Sequence, residues 1–182
     1  GDPPAGARKE APVVAHRPVH PIEGLGIAPA PGWRELTLPL LREHPIPYVL
    51  VDRRQDLRVD QVGVENENSS SAWVEHLLQL GHRRVGMVGG IKGLSTSEER
   101  RAGFLLAYRR HGLEADPRLT IEGLATSQGG RLGMLRLLSH RAAPPAGFWA
   151  NNNMTIGTLA ALRATGLAGQ QDPACGGAKD LM

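Results

Sequence analysis

Short apolar segments alternate with helix-like segments through the middle of this 182-residue chain, and this alternation constrains its fold more than any other feature. Strands that alternate with helices indicate βαβ units and a mainly parallel sheet. The predicted strands are Gly24–Ala28, Ile46–Val51, Gln61–Glu65, Arg84–Gly89, Leu119–Gly123 and Ala146–Ala150. The predicted helices are Trp33–Glu43, Asn68–Leu80, Thr96–His111, Gln128–Ser139 and Asn152–Ala164. The sequence therefore predicts an α/β fold.

The segment from Val85 to Phe104 combines a predicted strand, a glycine-rich turn and the start of a helix. Its candidate capping boxes are Ser95 with Glu98 and Thr96 with Glu99, which place the helix start near Thr96. Such a unit brings N–H groups and polar side chains to the carboxyl end of a strand, where open α/β sheets bind small ligands. A purely structural turn is the alternative. No Gly-Lys-Ser/Thr follows the turn, so a phosphate-binding P-loop is not predicted.

Composition and charge narrow the function classes. The formal net charge is only +3 and the arginines occur as dispersed pairs, which does not indicate nucleic-acid binding by this chain. The single cysteine, Cys175, cannot form an internal disulfide and fits a reducing compartment. No segment has the apolar length of a membrane span, and the start Gly-Asp-Pro-Pro lacks a signal-peptide core, although residue 1 is not Met. We therefore expect a cytoplasmic protein.

Familiar motifs for catalysis and metal binding are missing from the sequence. There is no Gly-x-Ser-x-Gly elbow, no His-Glu-x-x-His and no pair of cysteines, so neither an enzyme nor a cofactor is expected. A hydrolase or an aldolase is the enzymatic alternative, because α/β folds host many chemistries. His16 and His20 have the spacing of metal ligands on a helix, but Pro18 lies between them and opposes a helix. No metal site is predicted.

Four blocks of sequence, taken together, carry a family resemblance. They are Ile-Pro-Tyr-Val-Leu-Val-Asp at 46–52, Val-Glu-His-Leu-Leu-Gln-Leu-Gly-His-Arg-Arg-Val-Gly-Met-Val-Gly-Gly at 74–90, Ser-Thr-Ser-Glu-Glu-Arg-Arg-Ala-Gly-Phe at 95–104 and Phe-Trp-Ala-Asn-Asn at 148–152. In this order and spacing they resemble the effector-binding core of LacI/GalR-family bacterial transcriptional regulators. The resemblance extends from about Ile22 to Leu167, and several blocks in register are far more specific than any one alone.

The resemblance implies two Rossmann-like lobes of the periplasmic-binding-protein-like type, with a small-molecule effector in the cleft. Residues 22–65 would form part of the N-terminal lobe and residues 66–167 the C-terminal lobe. Residues 1–21 are proline-rich and are expected to be linker or disordered, whereas residues 168–182 are expected to form a divergent tail without a strand. We therefore expect an incomplete N-terminal lobe and a truncated C-terminal lobe.

Four residues match the family's effector contacts by motif: Asp52, Thr96, Arg100 and Asn151. Asp52 would accept hydrogen bonds from hydroxyls, Arg100 would donate them in a rigid fork, and Asn151 could do both, which suits a sugar. A purine or a phosphosugar is the alternative ligand. Each residue also has a structural interpretation: Asp52 and Asn151 as caps or turn formers, Thr96 as a cap, and Arg100 as an ion-pair partner of Glu98 or Glu99.

The function implied by the resemblance is that of the sugar-binding core of a homodimeric transcriptional repressor. The family's helix-turn-helix headpiece and hinge helix are not in the sequence, so this chain is not expected to bind operator DNA by itself. The aromatic residue often found after the fifth strand of the family is also missing, because that loop reads Leu124-Ala125-Thr126-Ser127. A sugar-binding component of a transport system, which has the same fold, is the alternative function. The run Leu80-Gly81-His82-Arg83-Arg84 and the arginine usage favour the regulator.

Overall fold

The computed structural model describes residues 23–167 and the backbone of residues 174–177. It divides into two compact units, one ending at Val64 and the other beginning at Glu65, which we call the N-terminal and the C-terminal unit. Each contains at least one helix and a parallel sheet, so the predicted α/β class is confirmed. The predicted linker at 1–21 lies outside the described residues. Within the described residues, every helix is too short or too polar to cross a lipid bilayer.

In its described residues, 23–64, the N-terminal unit has three strands and one helix. They are β1 (Leu25–Ile27), α1 (Trp33–Glu43), β2 (Tyr48–Val51) and β3 (Gln61–Val62). The strands pair in parallel in the order β1-β2-β3. Apolar residues of the helix pack on those of the first two strands, and the resulting core contains Ile27, Trp33, Leu38, Leu41 and Leu50. No helix separates β2 from β3, so Asp52 lies in a turn directly after β2.

The described part of the C-terminal unit has four helices and four strands. They are α2 (Asn66–Gln79), β4 (Val85–Gly89), α3 (Ser95–Arg110), β5 (Thr120–Glu122), α4 (Ser127–Leu138), β6 (Ala146–Trp149), α5 (Asn152–Ala164) and β7 (Ala174–Gly177). The strands pair in parallel in the order β5-β4-β6-β7. Helix α2 packs on α3, and α4 packs on α5.

This strand order creates a topological switch point between β4 and β6. The connection that leaves β4 through α3 runs to β5 on one side, whereas the connection that leaves β6 through α5 runs to β7 on the other. Since parallel connections are right-handed, helices that follow connections in opposite directions lie on opposite faces of the sheet. The carboxyl ends of β4 and β6 therefore border a crevice, which is the usual ligand site of open α/β sheets.

The core of this unit is centred on the two middle strands. All four residues of β6 and four of the five residues of β4 are buried, which explains their continuous apolar sequences. Phe148 of β6 stacks on Phe104 of α3, with 6.2 Å between the ring centroids. Tyr108 of α3 accepts a hydrogen bond of 2.8 Å from the backbone N–H of Val85, and burial raises the pKa of its hydroxyl. Helix α3 is thereby fixed on β4 and β6.

Helices α2 and α3 lie close together along their contact. A Cβ added at Gly103 of α3 would lie 2.2 Å from the carbonyl oxygen of Glu67 in α2, so glycine allows the two backbones to meet. At the other end of the pair, Arg110 donates a hydrogen bond of 2.9 Å to Glu75, which lowers the pKa of that carboxyl. These contacts fix the start of α2 beside the first turns of α3.

The expectation that no strand follows Leu167 is wrong. Residues Ala174–Gly177 form β7, which pairs in parallel with β6. Its sequence, Ala-Cys-Gly-Gly, has neither the alternation nor the β-branched residues that indicate a strand. The strand forms because the edge of β6 offers backbone donors and acceptors that need partners. Asp172 and Asp180, the acidic residues of the tail, lie outside the described residues.

Candidate effector-binding site

Three of the four predicted contact residues lie at the switch point of the C-terminal unit. Thr96 and Arg100 are on the first turns of α3, which follows β4, and Asn151 comes two residues after the end of β6. Thr96 and Arg100 are four residues apart on one helix and therefore lie on the same face. Asp52 belongs to the N-terminal unit, where it follows β2.

The predicted capping boxes at the start of α3 do not form. Leu94 is the N-cap residue, and no side chain caps the helix. Glu98 instead accepts a hydrogen bond of 2.9 Å from the backbone N–H of Gly93, and Glu99 accepts one of 2.7 Å from the side-chain amide of Asn66. The helix begins before Thr96, so neither Ser95 nor Thr96 occupies the position from which a hydroxyl reaches the N–H groups of the first turn.

One hydroxyl near the start of α3 is available for another partner. The Ser95 hydroxyl is buried and has no hydrogen-bond partner in the described structure. Its neighbour Thr96 is only 8% exposed. A buried polar group without a partner is unfavourable by about 1–3 kcal/mol. Such groups favour a ligand that could complete their hydrogen bonds.

Arg100 connects α3 with two other elements of the unit. Its Nε donates a hydrogen bond of 2.9 Å to the side-chain oxygen of Asn66 in α2. Its Nη1 donates to the backbone carbonyl of Ala150, the residue that follows β6 and precedes Asn151. The structure therefore places the guanidinium at the crevice between β4 and β6, beside the N-cap residue of α5.

Asn151 is the N-cap of α5. Its side-chain oxygen accepts a hydrogen bond of 2.8 Å from the backbone N–H of Met154, and its side-chain nitrogen donates one of 3.2 Å to the carbonyl of Ala125. Leu124 and Ala125 both have positive φ angles, of 54° and 58°, which are uncommon for residues with side chains. These two hydrogen bonds show that Asn151 acts as a helix cap. Its amide oxygen can accept a second hydrogen bond, which a ligand could donate.

Asp52 occupies a strained turn of the N-terminal unit. Its φ angle is 67°, and its backbone N–H donates a hydrogen bond of 2.8 Å to the carbonyl of Val62 in β3. The carboxylate lies 4.0 Å from Nε of Arg53, and half of the side chain is exposed. Asp52 is therefore a turn former with an accessible carboxylate, which can accept hydrogen bonds.

Sequence reasoning missed Asn66. This residue was predicted to precede the second helix, yet it is the first residue of α2 and is 4% exposed. Its side chain bonds to both Glu99 and Arg100. The sequence does show that Asn66 is a polar residue at the predicted boundary between the two lobes. The local pattern, however, does not identify its partners.

The described part of the chain shows no cluster of metal-binding residues. Among residues 23–167, no three His, Cys, Asp or Glu residues converge as metal ligands. The pair His16 and His20 lies outside the described residues.

A comparison with protein families identifies the class of domain. The family described as periplasmic binding protein-like domain matches residues 74–168, just over half of the 182-residue chain. The match covers β4, β6 and the helices that follow them, which form the crevice described above. Fold and match agree on an α/β ligand-binding domain of this class.

Known relatives identify the family of proteins within this class of domain. The chain is 30% identical over 142 residues to a Bacillus subtilis (strain 168) protein named "Probable HTH-type transcriptional repressor ExuR", an alignment that covers 78% of the chain and 43% of that protein. A sugar-binding LacI-family regulator from Escherichia coli, solved with phosphate, has a TM-score of 0.72 and 26% identity over 85% of this chain and 56% of that one. The transcriptional regulator CelR, solved with cellobiose, has a TM-score of 0.72 and 26% identity over 84% of this chain and 46% of that one. The chain belongs to the LacI/GalR family of transcriptional regulators and spans about half the length of these proteins.

Proposed function

We propose that this chain is the effector-binding core of a transcriptional repressor, that its effector is a sugar, and that Asp52, Thr96, Arg100 and Asn151 contact it. The observation that carries the proposal is the hydrogen bond from Arg100 to the carbonyl of Ala150, which brings the guanidinium beside Asn151 at the switch point. Ligands of open α/β sheets bind at such a point.

The chemistry of these side chains suits a polyhydroxy ligand. Sugar hydroxyls lose water when they enter a crevice and need donors and acceptors in its place. Arg100 donates, the Asp52 carboxylate accepts, the Thr96 hydroxyl can do either, and Asn151 retains acceptor capacity. Two of the similar structures support this ligand class, because one is described as sugar-binding and the other contains cellobiose.

A thermal-shift screen tests the proposal. The panel is D-ribose, D-glucose, cellobiose, glucose 6-phosphate and adenine, and we expect one of the sugars to raise the melting midpoint. A compound at about 100 times its Kd stabilises the folded state by roughly 2.7 kcal/mol, which is several degrees for a chain of this size. In Arg100→Ala this shift is expected to disappear, because the guanidinium supplies the donors at the switch point.

The neighbouring arginine provides a matched control. Arg101 is exposed on the same helix but lines a shallow pocket with Lys92 and Glu122, beside β5. Arg101→Ala removes the same charge and should retain the shift. A sugar shift that survives in Arg100→Ala would place the ligand elsewhere, and a shift with adenine alone would replace the sugar by a purine. A cooperative melt with no shift in the panel would contradict the sugar assignment.

We extend the proposal to the full-length protein, in which a headpiece would bind operator DNA in the cytoplasm. Support comes from the ExuR relative, whose name is that of an HTH-type repressor. No catalytic role is proposed. The same relative favours a regulator over a transport component.

We also propose that the protein is a homodimer that uses the helix pair α4 and α5. Ile156 and Leu159 lie three residues apart on one face of α5 and are 61% and 40% exposed, and Leu132 of α4 is 53% exposed. Exposed apolar side chains on paired helices favour association. Ile156→Arg places a charge on this surface, so we expect it to convert a dimer into a monomer in sedimentation velocity.

An exposed leucine outside this helix pair is the control for the dimer. Leu80 is 62% exposed at the end of α2. Leu80→Arg introduces the same charge and should leave the sedimentation coefficient unchanged. If both variants sediment as the unsubstituted chain does, the α4–α5 surface is not the interface.

A further inference from the structure

A second pocket of the C-terminal unit lies beside β5, away from the proposed effector site. Arg100 and Arg101 are adjacent on α3, so their side chains leave the helix about 100° apart. Arg100 bonds to the carbonyl of Ala150 after β6, whereas Arg101 lines this pocket together with Glu122, the last residue of β5. The two arginines therefore belong to different sites on opposite sides of β4.

The walls of the pocket are the sheet and the first turns of α3. Thr120 and Glu122 are two residues apart in β5 and point to the same face of the sheet, and the buried Met87, which pairs with Thr120, also lines the pocket. Ser97 and Arg101 are four residues apart on α3 and share one face of the helix. The pocket encloses about 330 Å³, part of it open to solvent, which suits a small ligand.

The turn that follows β4 forms the remaining side of the pocket. Glu98 of α3 accepts a hydrogen bond of 2.9 Å from the backbone N–H of Gly93, which holds this turn, with Lys92 in it, against the helix. Gly89, at the end of β4, lines the pocket, and a Cβ there would meet no neighbour closer than 3.6 Å. The space beside Gly89 is therefore unfilled by the protein.

Charges of both signs line the pocket without pairing. Lys92 and Arg101 are positive and Glu122 is negative, and within the described residues none of the three side chains makes a hydrogen bond or an ion pair. A simple anion would be repelled by the carboxylate, and a simple cation by the two basic groups. A ligand that carries one group of each sign would be attracted by both.

We propose that this pocket binds an α-amino acid. Arg101 and Lys92 hold its carboxylate, and Glu122 accepts hydrogen bonds from its ammonium group. The guanidinium fork matches the two oxygens of a carboxylate, and an ammonium group offers three donors to an acceptor. The proposal goes beyond the proposed function, because it involves neither the sugar nor Arg100.

Thermal shift and isothermal titration calorimetry of the complete 182-residue chain test the ligand class. The amino acids are L-alanine, L-serine and L-leucine, and we expect at least one of them to raise the melting midpoint at millimolar concentration. Each is compared with its analogue without the ammonium group (propanoate, 3-hydroxypropanoate, 4-methylpentanoate) and its analogue without the carboxylate (ethylamine, ethanolamine, isoamylamine). Both analogues of the amino acid that binds should bind at least about tenfold more weakly, because each leaves one charge of the pocket without a partner.

Two substitutions test the roles of the charged residues. Arg101→Ala should weaken amino-acid binding at least about tenfold, because the carboxylate loses its fork. Glu122→Gln should lower the ratio of the affinity for the amino acid to that for its ammonium-free analogue at least about tenfold, since only the amino acid uses this carboxylate. The control is Arg109→Ala, which removes an exposed arginine from the last turn of α3 and should leave the binding unchanged. All three side chains are exposed, so the melt without ligand should not change.

The outcomes separate this proposal from the proposed function. No shift with any of the three amino acids, an analogue that binds as tightly as its amino acid, or unchanged binding in either Arg101→Ala or Glu122→Gln would overturn the second pocket. If a sugar shift then still depends on Arg100, the proposed function stands alone. An amino-acid shift that is lost in Arg100→Ala but kept in Arg101→Ala would overturn this proposal and the sugar assignment together, because the amino acid would then bind at the switch point.

Discussion

Phe148→Ala is expected to lower the free energy of unfolding of the C-terminal unit by about 3–5 kcal/mol. Phe148 lies in β6, is fully buried, and stacks on Phe104 of α3. Removing its ring loses the transfer free energy of the side chain and leaves a cavity. Because β6 is hydrogen-bonded on both sides, to β4 and to β7, the strand cannot move inward to close that cavity. Urea denaturation followed by circular dichroism measures the loss.

Two further variants identify the cause of that loss. Phe148→Leu keeps much of the buried volume and should be less destabilising than Phe148→Ala, since the remaining cavity is smaller. Leu80→Ala removes an apolar side chain that is 62% exposed and should change stability by about 0.5 kcal/mol or less. If Phe148→Ala behaves like Leu80→Ala, the core of this unit is not centred on β6.

The elements of the fold were predictable where local sequence determines them. Helices α1 and α5 have the predicted bounds, Trp33–Glu43 and Asn152–Ala164. In contrast, α2 begins two residues before its predicted start. The local pattern does not include Asn66 in the helix, whereas its side-chain bonds to α3 are made from the first turn of α2. The order β5-β4-β6-β7 depends on contacts between distant segments, which periodicity does not report.

The candidate site was also predictable only where local sequence determines it. Sequence reasoning predicted that Thr96, Arg100 and Asn151 follow strands, because a residue after a buried strand lies at its carboxyl end. It did not predict their partners. The pattern Ser-x-x-Glu fits a capping box, yet Glu98 bonds to Gly93 and not to a cap residue. Local motifs compete with bonds that only the folded chain offers, and the tertiary partner of Arg100 is 34 residues away.

Gly157→Ala is expected to destabilise the C-terminal unit by about 2 kcal/mol or more, although alanine is the better helix former by about 1 kcal/mol. A Cβ at Gly157 of α5 would lie 1.8 Å from the backbone carbonyl of Ser127 in α4, and no change of side-chain rotamer relieves that overlap. The helices must separate, which moves α5 together with its cap, Asn151. The control is Gly89→Ala, whose Cβ would meet neighbours at 3.6 Å or more and should change the urea midpoint little. A Gly157→Ala chain more stable than the unsubstituted one would mean that helix propensity prevails and that α4 and α5 do not meet this closely.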